Sequence, residues 1–130
     1  HKILVYNVKF AYAHSNMLGS IADLLVEAGH DVTSFIPEIA SEIKDGTSKS
    51  KIVKVLPNPE AALYHERLHN GELNPLELNT LNLIVAILAR PSFAFMFAKQ
   101  CVTTLDSGEV EKLQKEHFDV YIVESLTSAE

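Results

Sequence analysis

A single cysteine, Cys101, stands in this chain of 130 residues, so neither an internal disulfide nor a thiolate-built zinc site is available. That scarcity leaves the redox compartment open. No Asn-x-Ser/Thr acceptor for glycosylation occurs. No glycine lies between Tyr6 and His14, which excludes both the dinucleotide fingerprint and the P-loop after the first strand. Long apolar runs are also missing. The longest, Leu83 to Ala98, is interrupted by Arg90 and Pro91 and is too short for a membrane span; it reads as a buried helix pair kinked at Pro91. Basic residues are scarce, with 11 Lys and Arg against 17 Asp and Glu, and only Lys49, Lys51 and Lys54 are grouped. A net charge of −6 argues against a nucleic-acid partner. The chain does not open on Met, and a strand pattern already begins at Lys2, so the start reads as a processed or truncated end with no visible signal peptide.

What is present is an ordinary globular composition, 47% hydrophobic, of a size for one domain or part of one. Lys2 to Asn7 reads as a strand covered on both faces. After a loop from Val8 to His14, Ser15 is a plausible N-cap. Met17, Ile21, Leu24, Leu25 and Ala28 then recur at helical spacing up to a stop at Gly29. Asp31 to Ile36 returns as a strand ended by Pro37, which completes a βαβ unit. A polar segment with a turn at Asp45 and Gly46 leads to a third strand, Lys51 to Leu56. Glu60 to His69 reads as a short helix, Asn70 and Gly71 as a turn, Pro75 to Leu105 as mostly helical, and Ser107 to Glu116 as a charged surface helix. Phe118 to Val123 is the fourth strand, and the next crossover helix should begin near Leu126 to Ala129. Alternating strands and helices imply an α/β, Rossmann-like parallel sheet with flanking helices and strand order 3-2-1-4.

That order makes strands 1 and 4 neighbours and reverses the direction of sheet growth between them. In open parallel sheets ligands bind at this switch point, outside the carboxyl ends of the strands. His14 leaves strand 1 there, and Glu124 leaves strand 4. An imidazole with a pKa near ~6.5 can accept a proton at neutral pH, and a carboxylate on its other nitrogen would fix the tautomer. The competing readings are a helix-capping or packing histidine and a solvated glutamate. Asp119 reads as a strand start or a partner for a surface lysine. His65, Glu66 and His69 match the letters of the zinc-protease pattern. No third ligand is evident and turn residues flank the helix, so no metal site is assigned. Cys101 reads as a small core residue. Phe93, Phe95, Met96 and Phe97 line an acceptor pocket or simply pack, with packing favoured.

Four segments carry a family resemblance. They are Lys2 to Asn7 with His14 to Asn16 and Ile21 to Asp23; Val26 to Thr33 with Ile36 to Ile39; Glu77 to Thr80; and Phe97 to Cys101 with Phe118 to Val120. Together they resemble the N-terminal domain of the UDP-glucuronosyltransferases, in the nematode branch of that UDP-glycosyltransferase family. The resemblance implies a GT-B enzyme whose N-terminal domain binds a small lipophilic acceptor. Its C-terminal domain binds most of the UDP-sugar (UDP-glucuronate or UDP-glucose). On this reading residues 1–130 are a partial acceptor-binding domain that stops before the family's Cys-Gly pair, and the donor-binding domain with its membrane anchor is absent. His14 matches the family's catalytic base. Glu124 takes the place of its assisting carboxylate, commonly Asp, and Phe10, Tyr12, Phe93 and Phe97 are acceptor walls. No metal or cofactor is implied, the UDP-sugar being a co-substrate. The implied location is the lumenal side of the endoplasmic reticulum membrane, in detoxification. The polypeptide alone is expected to lack transferase activity and to associate through the open edge of strand 4. Two rivals stand beside this reading: a non-catalytic small-molecule-binding or interaction module from a truncated gene product, and a zinc hydrolase built on His65 and His69.

Overall fold

The structure is a computed structural model that describes the backbone of residues 1–70 and 83–124, with side chains described for 1–70 and 93–124. The turn at Gly71, the start of the helical run from Pro75, the matching segment Glu77 to Thr80 and the chain end from Ser125 lie outside the described residues. Four strands, β1 (Lys2–Tyr6), β2 (Asp31–Pro37), β3 (Lys51–Val55) and β4 (Val120–Ile122), form one all-parallel sheet in the order β3-β2-β1-β4. The helices are α1 (Tyr12–Glu27), α2 (Pro59–His69), α3 (Leu83–Asp106) and α4 (Glu109–Gln114). This is the α/β architecture and strand order that the alternation of elements predicts.

The two-residue period of β1 distributes its side chains between two layers. Ile3 and Val5 pack with Leu18, Ala22 and Val32 beneath α1. Leu4 and Tyr6 face the opposite side, against Phe35, Val55, Leu113 and Phe118. Beyond the carboxyl end of the sheet, Val8, Ile39, Ala61 and Met96 make a third cluster that joins α2 and α3 to the loops. β2 is buried from Val32 to Pro37, as a central parallel strand should be.

Several ends differ from the sequence reading, each for a physical reason. Pairing between the first two strands continues past Tyr6: the Asn7 and Lys9 amides donate to the Phe35 and Pro37 carbonyls, both at 2.9 Å. Only Phe10 and Ala11 then connect strand to helix, and α1 starts at Tyr12 with Ala11 as its N-cap. Ser15 therefore lies inside the helix, fully buried, and is no cap. At the other end Gly29 holds φ +89°. The amides of Gly29 and His30 donate to Val26 and Leu25, a Schellman closure that any side chain at Gly29 would strain. α3 runs through Pro91 as one helix rather than a pair. A proline forfeits one intrahelical bond, and the flanking run of helix formers carries the helix past it. Among the described side chains of α3 the buried stripe is Met96, Gln100 and Thr104, so Cys101 falls on the outer face and is exposed. No described helix is long and apolar enough to cross a membrane.

The segment between β2 and β3 is clamped to α1. Asp23 accepts hydrogen bonds from the amides of Ser48 and Lys49, at 2.9 Å each, and from the hydroxyls of Thr47 and Ser48. Backbone also meets backbone here: a Cβ on Gly19 would stand 2.1 Å from the Gly46 carbonyl carbon. Burial alone would push Asp23 upward, but the bonds from Thr47, Ser48 and Lys49 outweigh it and hold the carboxyl at about 2, against 3.8 normally.

A carboxyl depressed in the fold contributes stability that is complete above the unfolded-state pKa and is lost as pH falls toward 2. Asp23→Asn should therefore cost about 1 kcal/mol at neutral pH, solvent screening the charge at this surface position, and flatten the loss of stability between about pH 4 and pH 2, read by urea unfolding across pH. Gly19→Ala should destabilise by about 2 kcal/mol in the same assay, since the loop must back away from α1.

Candidate functional site

The parallel register pairs Val5 with Ile122. Two residues further along each strand stand Asn7 and Glu124, so Glu124 emerges beside the end of β1, where α1 begins. His14 is the third residue of α1 and points to the same seam. Its Nε2 lies 2.9 Å from Glu124 Oε1, with side-chain exposures of 26% and 18%, a half-buried pair. The positive end of the α1 dipole favours the carboxylate. Asn7 ties the helix start to the strand by donating from Nδ2 to the Ser15 carbonyl at 3.2 Å.

The ring nitrogens of His14 are in different situations. Nε2 carries the hydrogen toward Glu124, and Nδ1 is buried without a hydrogen-bond partner among the described residues. The ring of Phe10 lies 4.8 Å from the imidazole, and Phe97 meets Phe10 edge-on at 5.0 Å. Of the four residues named as acceptor walls, Phe10 and Phe97 thus come together beside His14. Tyr12 is 66% exposed and faces a small cavity with Asn16, Lys44 and Gly46, while Phe93 is exposed on α3. Met96 is wholly buried, and Phe95 packs against Tyr64 at 4.9 Å. Asp119 starts the fourth strand by exchanging two hydrogen bonds with the Lys2 backbone, at 2.7 and 2.8 Å.

Among the described residues His65 and His69 have no third ligand beside them. Their rings stack at 6.4 Å, His65 Nε2 donates to the Phe10 carbonyl at 2.7 Å, and no set of three metal-capable side chains occurs among the described residues.

Sequence reasoning missed a charge cluster at the same end of the sheet. Lys9, 2% exposed, reaches Glu38 at 3.2 Å and Asp45 at 3.0 Å; Lys54 meets the same two acids from β3. Burial raises the Asp45 carboxyl, but hydrogen bonds from Lys54 and Lys9 bring it below its ordinary value. The same contact raises Lys54. The available signal was a lysine set between Val8 and Phe10 in an otherwise apolar stretch. The cluster is neutral in sum and anchors the loop after β2 to the end of β1.

No family model, curated protein or solved structure matches the chain. The site has to be understood from its own residues.

Breaking a buried charge group by removing one member leaves its partners uncompensated. Lys9→Met should destabilise the fold by about 3 kcal/mol, measured by chemical denaturation, because Lys54 alone faces two acids.

Proposed function

We propose that this chain is the acceptor-side part of an inverting UDP-glycosyltransferase. It would serve transfer of glucuronic acid or another hexose to a hydroxyl of a small lipophilic acceptor. The observation that carries the proposal is the 2.9 Å contact between His14 and Glu124 at the switch point of the sheet, where open α/β sheets bind ligands. Support also comes from the resemblance of the first and second segments to the UDP-glucuronosyltransferases. The UDP-sugar would be held mainly by a second domain, and that domain's anchor would place the protein at the lumenal face of the endoplasmic reticulum membrane.

His14 acts as the general base and Glu124 as its orienting partner. As the acceptor oxygen bonds to the anomeric carbon, its proton passes to the imidazole. The bond from that carbon to the UDP oxygen breaks, and UDP leaves with the electron pair. The carboxylate stabilises the imidazolium that forms. Because Nε2 is engaged by Glu124, the nitrogen that takes the proton is Nδ1. That atom is shielded, so acceptor binding must displace the Phe10 ring.

The test is transfer from UDP-glucuronate or UDP-glucose to simple phenols by the full-length gene product. His14→Ala should lower kcat by about 100-fold or more, the usual contribution of a positioned base, and Glu124→Gln by about tenfold. A His14→Ala protein at wild-type rate would remove the base and favour the non-catalytic binding module.

A further inference from the structure

A cavity of about 660 Å³ opens between the loop after β2 and the face of α2. Its size is that of a small-molecule site. Ile39, Ala62 and Leu63 supply apolar wall, while Glu42 from the loop and Glu66 from α2 supply carboxylates and His65 and His69 imidazoles; among the described residues neither Lys nor Arg lines it.

The decisive detail is the orientation of His65. A carbonyl oxygen can only accept, so the 2.7 Å contact with Phe10 fixes the hydrogen on Nε2. In the neutral ring Nδ1 is then an acceptor, and it stands 3.7 Å from Glu42 Oε1, another acceptor. Two acceptors facing each other at the edge of an apolar cavity are complemented by a group with several N–H donors and a positive charge. We propose that this cavity binds a small organic cation, a protonated primary amine on an apolar or aromatic body. Its ammonium would bridge Glu42 and His65 Nδ1, and its body would cover Ile39, Ala62 and Leu63. The proposal does not rest on the transferase reading, since binding is measured without turnover.

The test compares 1-naphthylmethylamine with 1-naphthylacetate, which share a ring system and differ in charge. The chain has no tryptophan, so naphthalene fluorescence reports binding directly. The amine should bind saturably and at least about tenfold more tightly than the carboxylate, from charge alone. Glu42 is 68% exposed, so Glu42→Gln should leave the circular dichroism spectrum unchanged while weakening the amine by about fivefold. His65→Phe should also weaken it and leave naphthylacetate no better bound. Absent binding of the amine, equal or reversed preference between the probes, or unchanged affinity in a folded Glu42→Gln protein would each overturn the proposal.

Discussion

The parallel pairing of β1 with β2 on one side and β4 on the other is the constraint from which the rest of the molecule follows. A parallel sheet must bury both faces, and β1 does so by sending Ile3 and Val5 to α1 and Leu4 and Tyr6 to the opposite layer. Because β1 lies between its neighbours, its carboxyl end is also where the chain departs for α1 and where β4 ends alongside. The two side chains of the candidate site need no special loop to meet. The register brings one strand end alongside another, and α1 supplies the imidazole in its first turn.

Polar groups hold the segment between β2 and β3 in place along its length. The Lys9 cluster fastens the loop after β2 to the end of β1 and to β3, and Asp23 fastens the next part of that loop to α1. Two glycines let backbone lie directly on backbone at the same contact. The Lys9 contacts contribute little by surface burial, yet losing one partner has a large cost, because Lys9 and Glu38 are buried. His65 continues the pattern on the other side: its bond to the Phe10 carbonyl links α2 to the short connection before His14.

The fold was largely legible in the sequence because its determinants are local. Apolar strands and helical spacing gave the elements, Gly29 gave a stop that the left-handed backbone there requires, and alternation gave the sheet order. The start of α1 was misread because Ser15 looks like a cap. What sets the start is continued pairing of Asn7 and Lys9 with β2, a long-range effect with no local mark. Cys101 was misread for a similar reason, since which face of a helix is covered depends on what packs against it, whereas α3 passes Pro91 because one lost hydrogen bond does not end a long helix. At the site, the meeting of His14 with Glu124 was deducible from topology. The inward turn of Nδ1 was not, since it depends on the ring of Phe10 and on rotamers that sequence does not encode.

The imidazole nitrogens of His14, observed by long-range proton–nitrogen NMR on the labelled protein at neutral pH, report the central pairing most directly. The account predicts hydrogen on Nε2 and a bare Nδ1, with this preference lost in Glu124→Gln. A hydrogen on Nδ1, or a spectrum indifferent to that substitution, would contradict it.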